Sequence, residues 1–143
     1  MRSPLLETIN LDFVKLEIYD EYIVTTVHEG VLFDHKKLDE VHKVFDKYFK
    51  HKPFGYISNR VFDYTVNPTS FIYSLQYENL VGTAIVCYND KSYRNAQFES
   101  TLHNCLIEIF HIESKALEWI STQLESFKKK QAYKPGSVQS KLS

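Results

Sequence analysis

The chemistry-bearing residues of this chain gather between positions 58 and 70, where Ser58, Asn59, Arg60, Thr65, Asn67, Thr69 and Ser70 fall within one short stretch. Arg60 carries a planar guanidinium that can grip a carboxylate or phosphate through two parallel bonds, or fix a loop by pairing with a nearby acid such as Asp63. Asn67-Pro68 reads as a helix start, with Asn as cap and Pro at the first helical position. Thr69 and Ser70 then fall in the first helical turn, where a phosphate's added charge would favour the helix. Thr65 is a third hydroxyl on the same approach. The bland alternative is a capped helix after a solvated loop. The sharper one is a docking or phospho-regulated surface.

Other reactive residues form no such cluster. Of the six histidines, His35 and His42 share a helix face but lie about 10 Å apart along it at about 1.5 Å per residue. His28, His51, His103 and His111 have no partner three or four residues away, so no metal site is expected. The two cysteines, Cys87 and Cys105, lack metal spacing, and Cys87 reads as a small buried hydrophobe. With 4 glycines there is no glycine-rich phosphate loop, and no nucleophile-elbow or His-Glu-x-x-His motif occurs. Ser58 and Cys87 are possible nucleophiles without an identifiable base. The expectation is no enzyme and no cofactor.

The elements that must hold the 58–70 stretch follow from periodicity. Residues 9–18 alternate apolar and polar, as a half-buried strand does, and 22–28 form a second strand after a tight turn. Asp34 caps a helix whose inward stripe is Leu38, Val41, Phe45 and Tyr48. Strand-length runs recur at 54–60, 80–87 and 106–110. Between them are a helix from Asn67 to about Glu78, with Phe71, Ile72 and Leu75 inward, and another capped by Asn89 or Asp90, with Phe98, Leu102 and Cys105 inward. A last helix at about 112–127 carries Ala116, Ile120, Leu124 and Phe127, and Trp119 is expected to pack in the core. The order β-β-α-β-α-β-α-β-α predicts an α/β fold: one mixed sheet of about five strands covered by crossover helices. Residues 1–127 make one domain, and 128–143 read as a disordered tail.

Composition bounds the partners. The 143 residues suffice for one domain. Net charge is −1, which gives no pull toward nucleic acid. No stretch approaches the roughly 20 apolar residues of a membrane span, and no signal core opens the chain, so a soluble cytoplasmic protein is expected. The surplus is aromatic, 10 Phe and 10 Tyr, which suits a ring-filled core or a Tyr-lined contact surface.

The C-terminal part carries a family resemblance. Ile109-Phe110, the turn His111-Ile112-Glu113 and then Ala116-x-x-Trp119-Ile120 resemble the close of small stand-alone STAS-like proteins, and the element order resembles the STAS domain over residues 8–127. That family includes anti-sigma-factor antagonists and the cytoplasmic ends of sulfate transporters. The resemblance implies a regulatory module that works by protein contact. The antagonists' Asp-Ser-Ser-Gly-like phosphoswitch is absent, and Asp63-Tyr-Thr-Val-Asn-Pro-Thr-Ser70 stands in its place. The expectation is a non-enzymatic interaction module that docks a protein partner or its own copy through 58–70. The alternative is a carrier of a small apolar ligand or lipid.

Overall fold

The structure, a computed structural model, describes residues 4–67, 77–101 and 106–132. Six strands form one sheet in the order β1-β2-β3-β5-β7-β8, and two short strands form a second. These are β1 Leu5–Asn10, β2 Val14–Tyr19, β3 Tyr22–Val27, β4 Leu32–Phe33, β5 Phe54–Arg60, β6 Thr65–Val66, β7 Leu80–Cys87 and β8 Ile107–Phe110. The described helices are α1 His35–Phe49, α2 Asp90–Ser100 and α3 Glu113–Ala132.

The first three strands run antiparallel. From β3 onward the main-sheet neighbours are parallel, which needs a crossover between each pair. The expected single strand at 9–18 is in fact two strands. The chain reverses at 11–13, where Leu11 N–H donates to the Val14 carbonyl at 2.9 Å. Leu11 and Phe13 keep the alternation going through the turn, so a period-two pattern cannot reveal it. The sheet therefore has six strands rather than about five.

α1 and α2 cover one face of the sheet and α3 the other. Val14, Leu16, Ile18, Ile23 and Val27 pack with Leu38, Val41, Val44, Phe45 and Phe49 of α1. Ile85 and Cys87 pack with Ala96 of α2. On the opposite face, Val24, Ile57, Ala84 and Val86 meet Ala116, Ile120 and Leu124 of α3. β7, buried along most of its length and covered on both faces, has the continuous apolar sequence such a strand requires.

Two glycines seat α3. Gly55 and Gly82 are direct partners across β5 and β7. A Cβ on Gly55 would come within 2.4 Å of Ile120 Cγ2, and one on Gly82 within 2.9 Å of Trp119. Trp119 is half-buried rather than sealed in the core; its ring lies 5.8 Å from that of Phe110.

Both described caps match the expectation: Asp34 accepts from Lys37 N–H at 3.2 Å and Asn89 from Ser92 N–H at 2.8 Å. The inward placement expected of Phe98 on α2 does not hold. Phe98 is 60% exposed, whereas Ser92, Ala96 and Glu99 are buried. Phe98 misled because the buried face of α2 includes a carboxylate, that of Glu99. α3 continues to Ala132, beyond the expected end at Phe127. The helix expected from Asn67 falls mostly on 68–76, outside the described residues, as do Leu102, Cys105 and the chain after 132; Glu78 lies in a turn.

Candidate functional site

The 58–67 stretch leaves the carboxyl end of β5, beside the start of α2 that follows β7. Its backbone is held down. Gly30, at φ 76°, turns the chain so that its N–H donates to the Asp63 carbonyl at 2.8 Å. Thr65 N–H reaches the Val31 carbonyl at 2.9 Å, and Asn67 N–H reaches that of Phe33 at 3.0 Å. Residues 65–66 are thus a short strand paired in parallel with β4. Glu29 Oε1 accepts from Asp63 N–H at 3.2 Å.

Between this clamped segment and α2 lies a groove of about 500 Å³. Arg60 and Glu99 line its floor, Glu29, Asp63 and Thr65 its loop wall, and Lys91, Ser92 and Asn95 its helix wall. Phe62 and Phe98 stand at its sides, 42% and 60% exposed.

The floor is a buried ion pair. Arg60 donates to both Glu99 carboxylate oxygens at 2.7 Å, and its Nε donates to Ser58 Oγ at 3.2 Å. Tyr64 lies under the guanidinium, with 5.4 Å from its ring centre to the central carbon. Burial disfavours the Arg60 charge, Tyr64 and Glu99 restore it, and the net shift of its pKa is upward. Arg60 therefore binds a carboxylate, but from α2 rather than from nearby Asp63.

Five of the seven expected site residues lie among the described residues. Ser58 is buried beneath Arg60, and its Oγ also sits 3.4 Å from the Tyr64 hydroxyl. Asn59 points to the other face of β5, where its Oδ1 accepts from the Tyr88 hydroxyl at 2.6 Å. Arg60 and Thr65 line the groove, and Thr65 is exposed. Asn67 is exposed and bonded through its backbone to β4. Thr69 and Ser70 lie outside the described residues. Sequence reasoning missed Glu99, Lys91, Asn95 and Phe98. A strand-end Arg signals that an acid must pair with it, but not which acid.

The two candidate nucleophiles are both buried. Ser58 contacts Arg60 and Tyr64. Cys87 is fully enclosed at the end of β7, and burial pushes its thiol pKa up against the smaller opposing effects of Ser92 and Arg60. Among the described residues no group of three or more His, Cys, Asp or Glu is placed to hold a metal ion. No described helix is long and apolar enough to cross a membrane.

No protein-family model matches the sequence. No curated protein matches it either. Among solved structures, the chain is similar to an uncharacterised DUF3478-family protein with a SpoIIAA-like fold from Shewanella loihica PV-4. The TM-score is 0.51 at 11% identity, covering 84% of this chain and 98% of that one. This establishes the fold: the chain has the SpoIIAA-like architecture, the STAS-like fold that the sequence resemblance implied.

Proposed function

We propose that this is a non-enzymatic, cytoplasmic interaction module that docks a protein partner through the groove between the 60–66 segment and α2. The observation that carries this reading is the pair Phe62 and Phe98, two large rings left exposed on opposite sides of a groove with a polar floor. Exposed aromatics around a structured polar centre suit partner contact, where rings supply area at low entropic cost. The loop wall is pinned by backbone bonds to β4, so little ordering would accompany docking. The burial of Ser58 and Cys87 supports a role other than nucleophilic catalysis. The apolar-ligand alternative draws less support, because an ion pair forms the groove's floor and its walls carry Glu29, Asp63 and Lys91.

The test compares wild type with the double variant Phe62→Ala/Phe98→Ala. Both side chains are partly exposed, so the variant should keep its melting temperature. Quantitative capture from the source extract should show one or a few proteins lost with the variant, and sedimentation velocity would show whether the partner is a second copy. Equal capture by both proteins, with no self-association that depends on the rings, would overturn the reading.

A further inference from the structure

We propose that the groove receives an extended peptide segment of mixed charge, with its acidic residue toward Lys91 and its basic residue toward Glu29 and Asp63. An apolar side chain would sit between them, against Phe62 and Phe98. This inference rests on the docking reading above and specifies the partner's chemistry.

The argument begins with the charge on each wall. Lys91, Asn95 and Phe98 are spaced by four and three residues, so they share one face of α2. Their only charge is the Lys91 ammonium. The facing wall carries the Glu29 and Asp63 carboxylates. Arg60 and Glu99 cancel each other on the floor through their two 2.7 Å bonds. The groove is therefore polarised across its width. A purely anionic ligand would meet Glu29 and Asp63, and a purely cationic one would meet Lys91. A segment with both signs in the right order satisfies both walls, and the reverse order is repelled by both.

The floor favours a peptide. A guanidinium has five N–H groups, and Arg60 directs three of them to Ser58 and Glu99. The other two suit a neutral acceptor that does not compete with Glu99. Peptide carbonyls are such acceptors, and an extended chain turns one toward the same side about every 6.6 Å, twice its rise per residue.

Random heptapeptides displayed on phage would be selected against wild type, Lys91→Glu, Asp63→Lys and the Phe62→Ala/Phe98→Ala variant. Wild type should enrich sequences with an acid and a base flanking an apolar residue in one fixed order. A synthetic copy of the best sequence should bind Lys91→Glu about tenfold more weakly and recover when its acid is changed to Lys. Selected peptides that bind both charge-reversed variants as well as wild type, yet fail on the double Phe variant, would remove the charge inference and leave the docking reading. Single-sign sequences would also overturn the inference. Failure of wild type to enrich any peptide over the double Phe variant would overturn both.

Discussion

Arg60 and Glu99 lie 39 residues apart in the chain and meet through two parallel 2.7 Å bonds, joining β5 to the last turn of α2. Both side chains are almost fully enclosed, 6% and 8% exposed. Breaking such a pair leaves the surviving charge uncompensated, whereas replacing both partners with apolar groups removes the desolvation cost as well. Arg60→Met and Glu99→Gln should each cost about 3–5 kcal/mol in urea unfolding. Arg60→Met/Glu99→Leu should cost much less than the sum of the two. Additive losses would mean that each residue is held by something other than its partner.

A second prediction concerns acid. His42 on α1 is 9% exposed, packed against Phe45 and Tyr77, and its Nε2 has no hydrogen-bond partner among the described residues. Burial lowers its pKa from the ordinary 6.5; Asp39 and Asp46 oppose that effect more weakly, and His35 adds to it. Tyr77 faces the ring from outside α1, and its hydroxyl donates to the Asp46 carboxylate at 2.9 Å. Above the ordinary value, folded and unfolded chains both hold a neutral ring. Below it the unfolded chain takes up a proton that the folded chain still refuses, so stability falls as pH falls. His42→Leu should reduce the drop in melting temperature between about pH 7.5 and about pH 5.5. An unchanged drop would assign the acid sensitivity elsewhere.

The seat of α3 gives a third. The Cβ of Gly55→Ala would press on Ile120, which is 1% exposed and cannot swing away. The expected loss is about 1–3 kcal/mol in denaturant melts. Shortening the neighbour in Gly55→Ala/Ile120→Ala should cost less than the two single losses together. Strict additivity would show that the sheet and helix part freely. Trp119→Ala should cost about 2–3 kcal/mol, below the about 3–5 of a sealed indole, because the ring is half-buried.

Cys87 supplies the fourth. Its thiol is fully buried and its pKa is raised by burial. In a Cys105→Ser background the remaining thiol should react with a disulfide reagent only after unfolding, so the modification rate should follow global opening. Rapid modification of the folded protein would show that the β7 end is accessible.

The parallel strands were legible in the sequence because hydrophobic periodicity reports which face of an element is buried. Strand ends came through at 54–60 and 80–87, where flanking turns break the pattern. The turn at 11–13 stayed hidden because Phe13, 9% exposed, is a core residue inside a reversal. Phe98 misled for the opposite reason: a large apolar residue was placed inward, while its neighbour Glu99 took the buried position in order to meet Arg60. Pairings across long stretches of chain leave no local trace. Half of the candidate site, the residues before the groove, was visible as a cluster of polar types, and the half on α2 was not.

Gly55 and Gly82 sit side by side on adjacent strands, and consecutive residues of α3, Ile120 and Trp119, fill the hollows they leave. Such a double notch acts like a keyway for a shaft. Sliding α3 by one residue would also rotate it by about 100°, given about 3.6 residues per turn, and would lift both side chains out of their sockets at once. The helix on this side therefore has one permitted setting.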